Sequence, residues 1–172
     1  MNQSIQQSSN DSQIAKRLPD KQRFAFVHSA WHREIVHQGR DAFLAEMIQR
    51  GVSMTNIDVY EVLGAFEIPL HVKLLALTNQ YAAITACGFI VDGGIYRHDF
   101  VAGAVIDALM RVQLETEVPV ISAVLTPQRF NDHEEHRRFF SEHLCVKGQE
   151  AAVACISAVA SLARIGRVAD AA

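Results

Sequence analysis

YAAITACGFIV, residues 81–91, is a nearly unbroken apolar run with no polar face. A half-solvated strand alternates apolar and polar residues. A strand apolar on both sides belongs in a sheet covered on both faces, the habit of parallel strands joined by helices. The flanking segments fit that reading. Towards the N-terminus, RFAFVHSA (23–30) reads as a strand. His32 to Arg50 follows with Ile35, Phe43 and Met47, and Val36, Leu44 and Ile48, at helical spacing, and Gly51 stops it. VSMTNIDVYEV (52–62) is β-branched and alternating, a second strand. GAFEIPLHVKLLALTN (64–79) carries Pro69 early, where a helix tolerates it. Towards the C-terminus, Asp99 is placed to cap a helix reaching about Leu114. VPVISAVLT (118–126) reads as the fourth strand, with Pro119 at its start. NDHEEHRRFFSEHL (131–144) and KGQEAAVACISAVASLARI (147–165) read as closing helices, broken near Lys147–Gly148. The order β-α-β-α-β-α-β-α-α implies right-handed crossovers and a parallel sheet between helix layers.

The 172 residues suit one domain with a sizeable core, spanning 22–166. Residues 1–21, rich in Gln, Ser and Asn, bury too little to offset chain entropy and read as a disordered tail. The C-terminal ARIGRVADAA reads as a fraying end, with 167–172 outside the domain. A net charge of −3 offers no basic excess for nucleic acid. No apolar run reads as long enough to span a bilayer, and no leader-like apolar segment reads from the N-terminus. Cys87, Cys145 and Cys155 lack metal-ligand spacing and suit a reducing cytoplasm. His133-Glu134-Glu135-His136 places its histidines at i, i+3, not the i, i+4 of a zinc-binding helix, so it reads as a charged helix face. No metal is expected.

In an open α/β sheet, ligands bind beyond the carboxyl ends of the strands. The only tryptophan, Trp31, follows the first strand, and Gly64 to Glu67 follow the second. Asp92-Gly93-Gly94-Ile95-Tyr96-Arg97-His98 follows the third, and Thr126 to Arg129 the fourth. Trp31 is either a plug for the sheet end or a stacking wall for a flat heterocycle. Glu67 is either a helix N-terminal carboxylate or an acceptor for ligand hydroxyls. The two glycines make a plain turn, or expose N–H donors to an anion that Arg97 helps to neutralise. His98 is a surface histidine or a general acid/base. Lys147 is a solvated cap, or reaches a ligand carbonyl bound mainly by a neighbouring subunit.

Gly64-Ala65-Phe66-Glu67-Ile68-Pro69 resembles the GAFEIP signature of lumazine synthases. Trp31, GFIVDGGIYRHDFV (88–101), PVISAVLT (119–126) and KGQEAA (147–152) follow in that family's order, over about residues 22–166. The IYRHDF variant is similar to the type II subgroup. The resemblance implies an α/β, three-layer α-β-α sandwich with a four-stranded parallel sheet, flavodoxin-like. It implies a transferase of riboflavin biosynthesis that joins a 5-amino-6-ribitylaminopyrimidinedione to 3,4-dihydroxy-2-butanone 4-phosphate without a cofactor. It also implies a homo-oligomer, pentamer or decamer, with sites between adjacent subunits. By position, Trp31 would stack on the pyrimidinedione and Gly64, Ala65 and Glu67 would hold the ribityl chain, with Phe66 and Ile68 of the same motif also among the substrate-binding residues. Ile90 and Val91 would present backbone groups to the heterocycle, Gly93, Gly94 and Ile95 would line the phosphate region through their backbone, and Phe89 would be among the substrate-binding residues. Lys147 would reach the pyrimidine from the adjacent subunit, Ser122 would stand at a weakened pocket wall across that interface, and His136, Arg137 or Arg138 would take the phosphate. The family places its catalytic histidine where this chain has Arg97, and an aromatic residue where it has His98. Its fourth-strand aromatic residue is Ser122 here. The alternative is a non-catalytic flavin- or lumazine-binding or shell-forming protein of the same fold.

Overall fold

The computed structural model describes residues 23–95 and 97–169, with side chains through Ile165. The segment read as a tail lies outside the described residues, as do Tyr96 and 170–172. Strand β1 (Arg23–Ser29) leads through α1 (Arg33–Gln49) to β2 (Ile57–Val62) and through α2 (Ile68–Leu77) to β3 (Tyr81–Phe89). Helix α3 (His98–Thr116), β4 (Val120–Leu125) and α4 (Glu134–Ala169) complete the chain. The four strands pair in the order β2-β1-β3-β4, parallel throughout. This is the doubly wound, flavodoxin-like arrangement, with its topological switch between β1 and β3.

The pleat of β1 divides the core. Phe24 and Phe26 point into the layer formed with Ile35, Val36, Phe43 and Met47 of α1 and with Leu144, Ala152 and Cys155 of α4. Ala25 and Val27 point the other way, against Ile68, Val72 and Ala76 of α2 and Val105, Leu109 and Val112 of α3. Burial pushes the thiols of Cys87 and Cys155 up to about 12, so both stay neutral. At the opposite end from the glycine loops, Arg23 donates to Asp58 at 2.6 and 3.0 Å, and the Tyr81 hydroxyl donates to the same carboxylate at 2.8 Å. The Arg23 hydrogen bond holds the Asp58 carboxyl below its ordinary range, although burial works against it.

Helices α2 and α3 keep apolar residues on their outer sides. Leu70, Leu74 and Leu77 are 57–61% exposed, and Met110 and Leu114 of α3 53% and 72%. Each set recurs every three or four residues, which makes stripes along neighbouring helices.

The structure departs from the sequence reading at several boundaries. Residues 52–56 are not strand: the Ser53 hydroxyl accepts from the Thr55 N–H and starts a 3₁₀ turn, Met54–Asn56. Asp99 does not cap α3. Arg97 holds the cap position, and Asp99 lies in the first turn, where its charge still faces the positive helix end.

The largest correction is at Lys147–Gly148, where no break occurs. Helix α4 runs unbroken through this point and on to Ala169. Gly148 is where α4 crosses α1. A Cβ there would lie 2.2 Å from the carbonyl oxygen of Gly39, and a Cβ on Gly39 would lie 2.9 Å from Leu144 Cγ. The glycines permit backbone contact between two helices; they do not interrupt either. By length and composition alone, the Glu134–Ile165 stretch of this helix is also long and apolar enough to cross a membrane. Its apolar residues Leu144, Ala151, Ala152, Cys155, Ile156 and Val159 are instead buried in the core.

Candidate active site

The carboxyl ends of β1 and β2 are tied by the Ala30 N–H, which donates to Val62 O at 2.8 Å, and those of β3 and β4 by Ile90 N–H to Leu125 O at 2.9 Å. Between these pairs the chain opens at the topological switch. Directly after β1, His32 is left-handed (φ 52°, ψ 44°) at the N-cap of α1. Histidine is among the few non-glycine residues that enter this region with some frequency. Its ring is anchored edge-on to Phe89 and Phe130, with centroids 5.4 and 5.3 Å away. With the next residue held this way, Trp31 stays turned outward, 60% exposed, yet fixed at one edge.

That edge rests on Gly64. A Cβ on Gly64 would sit 3.4 Å from the indole Cζ3 and 2.9 Å from Glu67 Oε2. A side chain here would press on the carboxylate and reach the ring only at ordinary contact distance. Glu67 Oε2 accepts the Gly64 N–H at 2.8 Å. Both readings of Glu67 are therefore compatible: one oxygen closes the turn before α2, and the turn fixes the direction of the other. Ala65 and Ile68 are buried beneath, and a Cβ on Gly88 would meet Ile68 Cδ1, Ala65 Cβ and Ser29 Oγ at 3.3–3.4 Å. Their side chains seat the turn on β3, while Phe66 stays 66% exposed above it.

Beyond β3 the chain forms a shallow cleft lined by Asp92, Gly94, Ile95, Arg97, His98 and Asp99. Gly94 has φ +75° and requires glycine; its N–H donates to Asp92 Oδ1 at 2.9 Å. The loop thus presents a donor that already holds an oxyanion, one of its own. Arg97 donates to Asp99 Oδ2 at 2.9 Å and lies 4.0 Å above the Phe100 ring. The Arg97 hydrogen bond holds the Asp99 carboxyl low. Both partners are exposed, and an exposed pair is a weak competitor for a guanidinium against a phosphate dianion. His98 is half-buried as the first residue of α3.

Other expected residues are not at this mouth. The Phe89 side chain is buried among His32, Phe130 and Phe140, and Ile90 is buried too, so what they offer a ligand is backbone. Ser122 is exposed in the middle of β4, an edge strand. Lys147 donates to Glu150 at 2.6 Å, about 16 Å along α4 from His136. Among the phosphate candidates, Arg137 is committed to Asp132 and Glu34 at 2.6 and 3.0 Å, and His136 Nδ1 accepts the Asn131 N–H. Arg138 has no ion-pair partner among the described residues.

Residues 21–163 match the family model described as 6,7-dimethyl-8-ribityllumazine synthase. The chain belongs to the lumazine synthase family. It is 56% identical over 141 residues to 6,7-dimethyl-8-ribityllumazine synthase of Rhodococcus erythropolis, covering 82% of this chain and 91% of that one. It is 54% identical over 147 residues to 6,7-dimethyl-8-ribityllumazine synthase 2 of Pseudomonas syringae pv. tomato, covering 84% and 86%. It is also 54% identical over 154 residues to the protein of the latter name in Bradyrhizobium diazoefficiens, covering 89% and 92%. Lumazine synthases are transferases of riboflavin biosynthesis, and the function of this chain lies there.

Within that frame, sequence reasoning missed His32, Asp92 and Phe130. His32 orients the neighbour of Trp31, Asp92 occupies the loop donor, and Phe130 carries the His32 ring. A left-handed backbone and an edge-on ring pair leave no periodic trace. Asp92, two residues before a glycine in a turn, did carry a signal, because that spacing is typical of a carboxylate folding back on its own backbone.

Proposed function

We propose that this lumazine synthase condenses 5-amino-6-ribitylaminopyrimidinedione with 3,4-dihydroxy-2-butanone 4-phosphate. Trp31 stacks on the pyrimidinedione, and the free oxygen of Glu67 accepts from the ribityl hydroxyls. The Gly93–Gly94 loop and Arg97 hold the phosphate, and Arg138, away from this mouth in its own chain, reaches a phosphate in the assembled oligomer. The amine condenses with the ketone to an imine and one water leaves; phosphate is then eliminated, and the ribityl-bearing amine closes the second ring on the remaining carbonyl with loss of a second water. Most of the acceleration comes from holding two reactants together, with His98 passing a proton. Arg97 stabilises the departing anion, exchanging Asp99 for phosphate.

The observation that carries this reading is the closure of Trp31 and Glu67 on one glycine, Gly64. It places an aromatic face and an acceptor side by side, as a ring bearing a polyol chain requires.

The site is completed by a neighbouring subunit in a pentamer, or a decamer of two pentamers. Two observations support this. Ser122 and Lys147 lie away from the mouth of their own chain, and α2 and α3 carry stripes of exposed apolar side chains that a neighbouring subunit would cover. A cytoplasmic location fits three free cysteines, two of them buried. The test mixes the assembled protein, its mass measured by light scattering, with both substrates and follows lumazine absorbance. A rate above that of the uncatalysed condensation is expected; no excess rate in a correctly assembled oligomer would refute the enzyme.

A further inference from the structure

We propose that His28, His37 and Glu61 form a binding site for a transition-metal dication of the zinc class, separate from the condensation site. Three elements supply the donors: β1 gives His28, α1 gives His37 and β2 gives Glu61. One ligand atom from each of His28, His37 and Glu61 lies within 4.8 Å of those of the other two. His37 Nε2 is 3.4 Å from Glu61 Oε2, and His28 Nδ1 is 4.0 Å from the same oxygen. Bonds of about 2.0–2.1 Å in a tetrahedron place donors roughly 3.3 Å apart. One pair already has that spacing, the 4.0 Å pair closes by about 0.7 Å, and the imidazole pair closes by about 1.5 Å at most.

The mobile partners are able to make that shift. The side chains of His37 and Glu61 are 25% and 39% exposed, whereas His28 is 1% exposed as a residue and fixed in the sheet. The His28 Nδ1 contact with Ser29 O is long, at 3.3 Å, and little is lost when a metal replaces it. Solvent reaches the site from the His37 and Glu61 side and fills the remaining coordination position.

The neighbouring charges select the metal. Arg33 donates to Glu61 Oε1 at 2.7 Å, which leaves Oε2 for the ion and orients the carboxylate. The same guanidinium neutralises the site's one formal charge. Calcium and magnesium depend on several oxygen donors and their charge, and are disfavoured here. Zinc, cobalt, nickel and copper bind imidazole and are not. The site lies three residues before Trp31 on one strand and three before Gly64 on the next, so an ion there would pin together the bases of two site loops.

The test uses untagged, chelator-treated protein titrated with Co(II), followed by visible absorption, and then challenged with Zn(II). Saturation at one Co(II) per chain and displacement by Zn(II) are expected. Losing an outer-shell partner alone typically costs 10–100-fold in metal affinity, so His37→Ala and Glu61→Gln should each weaken binding by at least about tenfold. Zn(II) should raise the melting temperature of the wild type and not of His37→Ala. His133→Ala is the control: the His133 and His136 rings lie 4.5 Å apart and are the competing imidazole pair. Absence of saturable binding, binding indifferent to His37→Ala, or binding abolished by His133→Ala would each overturn the proposal.

Discussion

Replacing Gly148 by alanine sets two physical terms against each other. Helix propensity alone favours alanine over glycine inside a helix by about 1 kcal/mol. On that account Gly148→Ala stabilises the protein, the more so because Gly148 lies inside α4, 36 residues long. Packing argues the other way. The added methyl would sit 2.2 Å from Gly39 O, 2.9 Å from Gly39 C and 3.0 Å from Gly39 Cα. The shortest of these is inside ordinary contact by about 1 Å. All three obstructing atoms are backbone, so no rotamer change relieves them; α1 and α4 must part. Parting them thins the contact of Gly39 with Leu144 and Cys87 and loosens the layer around Phe43. Overpacking costs about 1–3 kcal/mol, and with backbone on both sides the upper end applies. The net expectation is a destabilisation of about 2 kcal/mol after the propensity gain. Urea unfolding at fixed protein concentration, read through the single tryptophan, measures it as a lower midpoint at unchanged slope. Gly103→Ala is the paired control. It lies inside α3, and its added Cβ meets nothing within 4 Å, so it should gain up to about 1 kcal/mol. If Gly148→Ala were as stable as Gly103→Ala, the close crossing of α1 and α4 would be wrong.

Trp31→Ala should weaken pyrimidinedione binding roughly tenfold, as loss of a stacking face does, with a smaller effect on turnover at saturation; equal affinity by calorimetry would remove the stacking role. His98→Ala should lower kcat several-fold without abolishing it, and an unaltered rate across the pH range would shift attention to Arg97. Arg138→Ala should raise KM for the phosphorylated substrate about tenfold, because a charge-assisted contact is lost, while Arg137→Ala leaves it nearly unchanged. The reverse order would exchange their roles. The Asp58 carboxyl is held low in the folded chain, so the unfolded chain binds its proton first as pH falls. Its stabilisation is complete above about pH 4 and disappears below. Asp58→Asn should be less stable at neutral pH and show a shallower loss in acid; thermal unfolding between pH 2 and 7 measures both.

The fold was legible because it is written in burial. A strand apolar on both faces, YAAITACGFIV, needs helices above and below it, and helical spacing supplied them. Gly148 shows where that reasoning stops. A glycine that ends a helix and a glycine that lets two helices touch look the same in one dimension. Only the position of Gly39, 109 residues earlier, separates them. The site divides along the same line. That Trp31, Gly64, Glu67 and the Gly93–Gly94 loop gather at one edge was legible because strand ends meet there in any open α/β sheet. The αL backbone of His32 and the donors of His28, His37 and Glu61 were not, because each depends on angles or register that no residue states alone. Glu61 shows this most clearly. It pairs with His28 only because β1 and β2 run parallel at the register that sets His28 opposite Glu61. A slip of one residue would turn the carboxylate to the other face of the sheet. What the fold adds to the sequence is therefore mainly register, and the new chemistry lies where register brings together residues from separate elements.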